Sequence, residues 1–532
     1  MSDSGLDILI VGAGFTGLCM LHKARGLGLK AHLIEAAASV GGTWYHNRYP
    51  GARVDIQSVE YSFGFSQTLQ QEWSWSERYA SGVEVLRYAN HVADRFGLRD
   101  GIQLNTRLAS ASFDEAAQSW VAVAQSGQRW RARFLVMACG PLSTPNMPRF
   151  KGLENFAGRV LHTAQWPREQ VDFSGQRVAV IGTGSSGVQV IPHLAQQAAE
   201  LTVFQRSAAY AVPAHNGPLN AKYEANIKAD YAGFRARNQT MRGGFGSELP
   251  VNPVSALEAT AEEREAEFEK RWRIGGFCLL GAFNDLMLSA QANAHAAEFV
   301  RSKIRSTVRN AQTARLLSPH YAIGCKRLCV DSGYYETFNL PHVHLVDISH
   351  QPIEEITAAG VRLAGQELNF DALVMATGFD AVSGTLMRLD LRGRNGLTIQ
   401  HKWRGGPLNY LGLMVAGFPN LFNPIGPGST AAFTNVMVSI EHHVNWIGDC
   451  ITYLDAHQHR SIEPALDAEA AWVAYVNAVA EHTVMTSCNS WYQGANIAGK
   501  PRMFMPLFSG FPAYAERCAD VAARGYAGFV LS

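Results

Sequence analysis

An α/β chain with two parallel-sheet units and a helical insertion is what this sequence predicts, and three observations carry the prediction. Two segments, at residues 7–35 and 177–206, read as apolar strand, glycine-rich turn, helix and second apolar strand. Two more apolar strands, 134–140 and 372–380, each stop at a small residue and a glycine. Between the second unit and the later of those strands, residues 209–324 hold charged helical stretches and read as an insertion.

The first unit runs Asp7-Ile-Leu-Ile-Val-Gly-Ala-Gly-Phe-Thr-Gly17, continues as a helix to about Arg25, and returns as a strand, 31–34, that ends at Glu35. Gly12, Gly14 and Gly17 let backbone approach a pyrophosphate. The free N–H groups of the helix start, around Phe15 and Thr16, face the anion, and Glu35 stands where an acid takes ribose hydroxyls. A lone Gly-x-Gly-x-x-Gly also marks ordinary strand-to-helix turns; the full order of strand, turn, helix, strand and acid is the signature of a Rossmann-like dinucleotide-binding domain. Its place near the N-terminus is that of FAD-first flavoproteins.

The second unit is Arg177-Val-Ala-Val-Ile-Gly-Thr-Gly-Ser-Ser-Gly187, with Gly182, Gly184 and Gly187 in the glycine positions and Thr183, Ser185, Ser186 and Gln189 at the helix start. Its second strand, 201–204, ends at Gln205, Arg206 and Ser207 rather than at an acid. A carboxylate there would repel a ribose 2′-phosphate, whereas a guanidinium pairs with it in two places. The site therefore favours NADPH over NADH, with Lys326 as a second phosphate contact.

The paired units imply a discontinuous FAD domain, 1–140 and 381–532, interrupted by an NADP domain, 150–208 and 325–380, that itself holds the insertion 209–324. The charge run 261–271 reads as a solvated helix face. Neither an internal repeat beyond the two units nor a low-complexity linker stands out.

Of 532 residues, 47% are hydrophobic and 17% charged, enough for several buried cores. Lys and Arg number 46 against 45 Asp and Glu, so no broad field points to nucleic acid or an anionic membrane as partner. No apolar run approaches the roughly 18 residues of a membrane span, and the start lacks the basic and apolar regions of a secretion signal. A cytoplasmic protein is expected. Eight scattered cysteines without Cys-x-x-Cys read as reduced core thiols. The short pairs His442-His443, His342-x-His344 and His457-x-His459 lack companion ligands, and no metal is expected.

Between the two units lies Phe156-Ala-Gly-Arg-Val-Leu-His-Thr-Ala-Gln-Trp-Pro167. It resembles the F-x-G-x-x-x-H-x-x-x-W-P pattern of the Baeyer–Villiger monooxygenases. The resemblance extends through 41–55, Ile323-Gly-Cys-Lys-Arg327, 417–422, 440–446 and 491–501, nearly the whole chain, and is weakest at 215–280. It implies an enzyme that uses FAD, NADPH and dioxygen to turn a ketone, expected to be cyclic, into an ester or lactone through a peroxide on flavin C4a.

The resemblance also implies roles. Arg327 would stabilise developing negative charge, and Asp55 would hold it. Thr43, Trp44, Tyr61, Leu108 and Val436 would join the glycine turn around the flavin, and Trp491 would touch the nicotinamide. Phe433, Thr434 and Phe504, in the loops 428–434 and 503–504, would line the substrate pocket. His162 and Trp166 read as structural, at a hinge between domains. A flavin monooxygenase acting on amines or sulfides is the nearest rival; Trp166-Pro167 and Arg327 disfavour it. A disulfide reductase needs a cysteine pair beside the flavin. A sensor that has lost its chemistry is the alternative from another class, and the retained Arg327 and Asp55 argue against it. A monomer or small homo-oligomer is expected.

Overall fold

The computed structural model describes residues 5–532. Its strands sort into two main sheets, as the apolar runs of the sequence require. Leu6–Val11 pairs in parallel with Ala31–Ile34 on one side and with Arg129–Met137 on the other. Sheet order continues through Ser119–Ala124, Leu108–Asp114 and the late strand Asp390–Arg392, while Leu421–Phe422 also pairs with Arg129–Met137. Residues beyond 380 thus complete the sheet that the N-terminus begins.

The second sheet is entirely parallel, in the order Val343–Asp347, Glu200–Gln205, Arg177–Ile181, Ala372–Met375 and Arg159–His162. Parallel strands covered on both faces need side chains that are apolar throughout, and Val178, Ala179, Val180, Leu373, Val374 and Met375 are all fully buried. One apolar cluster joins both units to the insertion, containing Phe134, Val180 and Phe268.

The insertion is helical: Ala221–Ala229, Tyr231–Gln239, Ala261–Ile274, Ala290–Thr307 and Ala311–Leu317. Thr260 and Glu263 close a reciprocal capping box at the head of Ala261–Ile274, which fixes where the charged run begins to coil. That run is not wholly a solvated face. Arg271 is buried, paired with Glu267 at 2.6 Å and donating to the carbonyls of Cys278 and Pro250.

The cysteine expectation needs one correction: Cys325 and Cys488 form a disulfide, with Cα atoms 6.2 Å apart across 163 residues of sequence. That separation suits a bridge, and no local spacing pattern announces it. The other six thiols are free. Among the described residues, no helix is long and apolar enough to cross a membrane.

Candidate active site

Each glycine turn packs as its motif demands. A Cβ at Gly12, whose φ is +108°, would lie 2.6 Å from the Ala138 carbonyl oxygen, and one at Gly17 would strike the Gly12 carbonyl. The second unit repeats this, with Gly182 against the Ala376 carbonyl and Gly187 against that of Gly182. The strands ending at Met137 and Met375 therefore press directly on the two turns.

The helices Phe15–Gly26 and Ser185–Ala195 begin at Gly14 and Gly184 without any side-chain cap. Helices elsewhere, starting after Ser66, Ser81, Thr260 and Ser289, are capped by their own hydroxyls. The uncapped N–H groups fit phosphate oxygens. Glu35 is fixed for its task by accepting from the N–H groups of Ala13 (2.6 Å) and Ala37 (2.7 Å).

Near the first turn, Trp44 Nε1 donates to the Tyr61 hydroxyl at 3.0 Å with the rings perpendicular, and Tyr61 meets Phe15 edge-on. Thr43 opens the short helix Thr43–His46, Leu108 is buried at its strand start, and Val436 begins the helix Val436–Ala456 that packs along Phe15–Gly26. A Cβ on Gly42 would come within 2.8 Å of Gly14 Cα, so this segment lies tight against the turn.

At the end of Glu200–Gln205, Arg206 and Ser207 are exposed, and Lys326 Nζ reaches Ser207 Oγ at 3.3 Å. Burial, and then the Arg206 charge beside it, hold the Lys326 ammonium below its ordinary value. Neither cation has an acidic partner among the described residues. Two uncompensated cations flanked by a hydroxyl fit a phosphate dianion. Thr183 donates to the Ser207 carbonyl (2.9 Å), which fixes that corner to the glycine turn. Gln189 is engaged elsewhere: it donates to the Arg53 carbonyl and accepts from the Tyr49 hydroxyl, tying the two units together. Ser185 Oγ lies 3.6 Å from Cys329 Sγ, and Ser186 follows it on the same helix.

Arg327 and Asp55, 272 residues apart in sequence, meet as a bidentate pair: Nε to Oδ2 at 2.7 Å and Nη2 to Oδ1 at 2.9 Å. Arg327 Nη1 donates to the Ala432 carbonyl at 3.0 Å, and the Phe277 ring lies 5.0 Å from the guanidinium carbon. Burial alone would lower the Arg327 pKa, but Asp55 outweighs it and keeps the group charged. Three of its five N–H bonds are thus committed, leaving two for a ligand.

The pair sits in the wall of a cavity of about 770 Å³. Phe433 and Thr434 line it, as expected, together with Phe277, Met485, Tyr492 and Phe508, which the sequence reading missed. Phe504 is a correction: it is not part of the lining but stacks behind Phe433, ring centroids 6.3 Å apart, in an apolar cluster that shares Phe433, Met485, Tyr492 and Phe508 with the cavity wall, and Met503 packs against Gly406. The backbone between Trp491 and Phe504 doubles back, with the Met505 N–H donating to the Tyr492 carbonyl, which sets Phe504 one layer behind the wall. Trp491 opens a short turn and packs on Tyr492 at 4.3 Å.

His162 is buried, with Nδ1 accepting from the Ala164 N–H and Nε2 near Thr377 Oγ1 and the Asn146 carbonyl. Burial lowers its pKa, and it clasps the crossover strand to the interdomain segment. Trp166 packs on Phe173. His443 is likewise a core residue, accepting from the Ile425 N–H and bonded to the Tyr514 hydroxyl.

Two uncapped phosphate turns, one closed by an acid and one by cations, with a fixed arginine at an apolar cavity, define a two-nucleotide flavin monooxygenase that uses FAD and NADPH. Residues 9–230 match the family model described as pyridine nucleotide-disulphide oxidoreductase. The chain is 41% identical to a phenazine N-monooxygenase of Lysobacter antibioticus, covering 99% of this chain and 97% of that one. It is 40% identical to a Baeyer–Villiger monooxygenase of Pseudooceanicola batsensis, over 98% and 96% of the two chains. A solved structure of oxidised steroid monooxygenase bound to NADP superposes with a TM-score of 0.94, at 46% identity and 99% coverage of both chains. The chain belongs to the Baeyer–Villiger monooxygenases.

Proposed function

We propose that this enzyme inserts one atom of dioxygen beside the carbonyl of a cyclic ketone, giving a lactone, with NADPH as the electron donor. The observation that carries the reading is the Arg327–Asp55 pair in the wall of an apolar cavity. FAD and NADPH supply the electrons and the activation of oxygen when bound. The turn Gly12–Gly17, Glu35, Thr43, Trp44, Tyr61, Leu108 and Val436 would hold FAD; the turn Gly182–Gly187, Arg206, Ser207, Lys326 and Trp491 would hold NADP. The domain bounds 1–140 with 381–532, and 150–208 with 325–380 around the insertion 209–324, belong to the same proposal.

The chain's own residues then do three things. Asp55 positions Arg327, whose two free N–H bonds stabilise negative charge that develops on the substrate oxygen. The guanidinium never loses its proton at working pH, so it acts by charge and hydrogen bonding and transfers no proton. The rings of Phe277, Phe433 and Phe508 exclude water that would divert the reaction to hydrogen peroxide.

We place the enzyme in the cytoplasm as a monomer or small homo-oligomer; six of its eight cysteines are free, as a reducing compartment keeps them, and the Cys325–Cys488 bridge is the exception. A second reading, oxygenation of a heteroaromatic nitrogen, is favoured by the relative named as a phenazine N-monooxygenase. The test supplies the FAD-loaded enzyme with NADPH, dioxygen and either cyclohexanone or phenazine, and analyses products by mass. Lactone from the ketone supports the first reading; N-oxide from phenazine with no lactone replaces it with the second.

A further inference from the structure

The cavity that holds Arg327 has a second polar pole, which neither the mechanism nor the motifs use. Glu60 is only 4% exposed and lines the cavity. Its Oε1 accepts from Asn238 Nδ2 (3.1 Å) and from the Gly246 N–H (2.8 Å), both supplied by the insertion. Its Oε2 has no protein partner and is not sealed off from the cavity. None of these contacts is shared with Arg327, which is held by Asp55 and Ala432. The backbone at Glu60 is fixed as well, its carbonyl accepting from buried Asn435.

A buried carboxyl with one anchored and one open oxygen is costly unless something binds the open one. The cavity volume lies in the upper part of the roughly 300–1,000 Å³ range of sites that enclose drug-sized ligands. Arg327 and Glu60 line the same cavity, so a substrate that reacts beside the first meets the second only if it extends along the wall. Taking the proposed function as given, we infer that Glu60 Oε2 accepts a hydrogen bond from a hydroxyl on the part of the substrate remote from its ketone, so that the substrate class is an extended, multi-ring hydroxyketone.

The groups facing Glu60 are consistent with a neutral donor. Burial pushes the Glu60 carboxyl up to about 7; the Gly246 N–H, Asn238 and Arg235 oppose this, and Glu248 adds to it. Tyr223 is occupied in donating to Glu248 at 2.6 Å, and burial keeps the phenols of Tyr79, Tyr223 and Tyr231 above their ordinary values. Arg78 and Arg242 stand on the same wall, one donating to the Ile274 carbonyl and the other to that of Phe508.

The test compares 4-(4-hydroxycyclohexyl)cyclohexanone with its methyl ether, on the FAD-loaded enzyme at pH 8. The wild type should favour the alcohol by about tenfold or more in kcat/KM, expressed in KM, because an ionised Oε2 only accepts. In Glu60→Gln the amide oxygen keeps its bonds to Asn238 and Gly246, and the amide N–H turns a cavity-facing acceptor into a donor that serves alcohol and ether alike. The alcohol preference should therefore collapse to near one. A preference unchanged in Glu60→Gln, or absent from the wild type, overturns the inference.

Two further measurements cover the remaining outcomes. If Glu60→Gln fails to retain flavin, the wild-type alcohol preference must grow as pH rises from 6 to 8 and the carboxyl loses its proton; a flat ratio overturns the assignment. If neither ketone yields lactone, the proposed reaction is wrong, and calorimetric Kd values for the two ketones without NADPH still decide whether Glu60 reads the hydroxyl.

Discussion

Replacing Arg327 by lysine keeps a positive charge at the site yet should abolish most oxygen insertion. In the structure the guanidinium makes two parallel bonds to Asp55, a third to the Ala432 carbonyl, and still has two N–H bonds to offer. A lysine ammonium is a single point with three donors, and the bonds that replace the Asp55 fork leave it at most one for substrate. Loss of one donor to a developing oxyanion costs about 2.7–4 kcal/mol, which is about 100- to 1,000-fold in rate. The assay separates two half-reactions: anaerobic reduction of the flavin by NADPH, read by stopped-flow absorbance, and lactone yield against hydrogen peroxide after mixing with oxygen. Flavin reduction should persist while lactone falls by that factor and peroxide release takes over. Lactone formation by Arg327→Lys within tenfold of the wild type would refute the claim that the forked geometry, rather than mere charge, does the work.

Other outcomes follow from neighbouring geometry. Arg206→Ala combined with Lys326→Ala should raise KM for NADPH about tenfold or more and leave KM for NADH nearly unchanged, since both cations face the extra phosphate; steady-state kinetics with the two coenzymes measures this. His162→Ala removes bonds to Thr377, Asn146 and Ala164 and should lose about 2–3 kcal/mol of stability with the ratio of lactone to peroxide intact, by thermal unfolding and product analysis. Cys488→Ser opens a loop of 163 residues and should cost about 2–4 kcal/mol, and dithiothreitol should bring the wild-type Tm down to that of the variant. Glu60 sets a pH dependence: its folded pKa of about 7 lies above its ordinary 4.5, so the native state holds a proton that the unfolded chain has lost between those values. Stability therefore falls as pH rises through that window, and Glu60→Gln, which does not titrate, should gain about 3 kcal/mol relative to wild type between pH 4.5 and 7.5, by denaturant unfolding at each pH.

The nucleotide units were legible because local physics repeats in them: alternating strand, turn and helix with glycines where backbone meets backbone. Gly12 and Gly182 could be assigned from spacing alone, and Arg206 from its place at a strand end. The Arg327–Asp55 pair was visible only through resemblance, since the two stand 272 positions apart with nothing local to mark them as partners. The Cys325–Cys488 bond was invisible for the same reason. Phe508 and Glu60 lie between elements and Phe277 in the short 3-10 helix Gly276–Gly281, where no sustained periodicity says which way a side chain faces. Phe504 was assigned to the pocket through the resemblance of the loop 503–504; the chain folds back at Met505, and Phe504 stands one layer behind Phe433.

The division of labour within the molecule explains why relatives with different activities resemble this chain so closely. Cofactor binding rests on two regular units whose turns tolerate almost no change: a Cβ at Gly17 or Gly187 would collide with backbone, not with a movable side chain. The reacting pole is similarly constrained, because Arg327 must meet Asp55, Ala432 and Phe277 at once. The far pole is not. Asn238, Gly246 and Leu280 come from the insertion, whose helices bear no part of either main sheet and can vary without disturbing the nucleotide turns. Selection for a new substrate should therefore act first on the insertion and on Glu60, leaving the oxygen chemistry in place. Exchanging residues 220–290 between this enzyme and the phenazine N-monooxygenase should carry substrate preference with the exchanged segment.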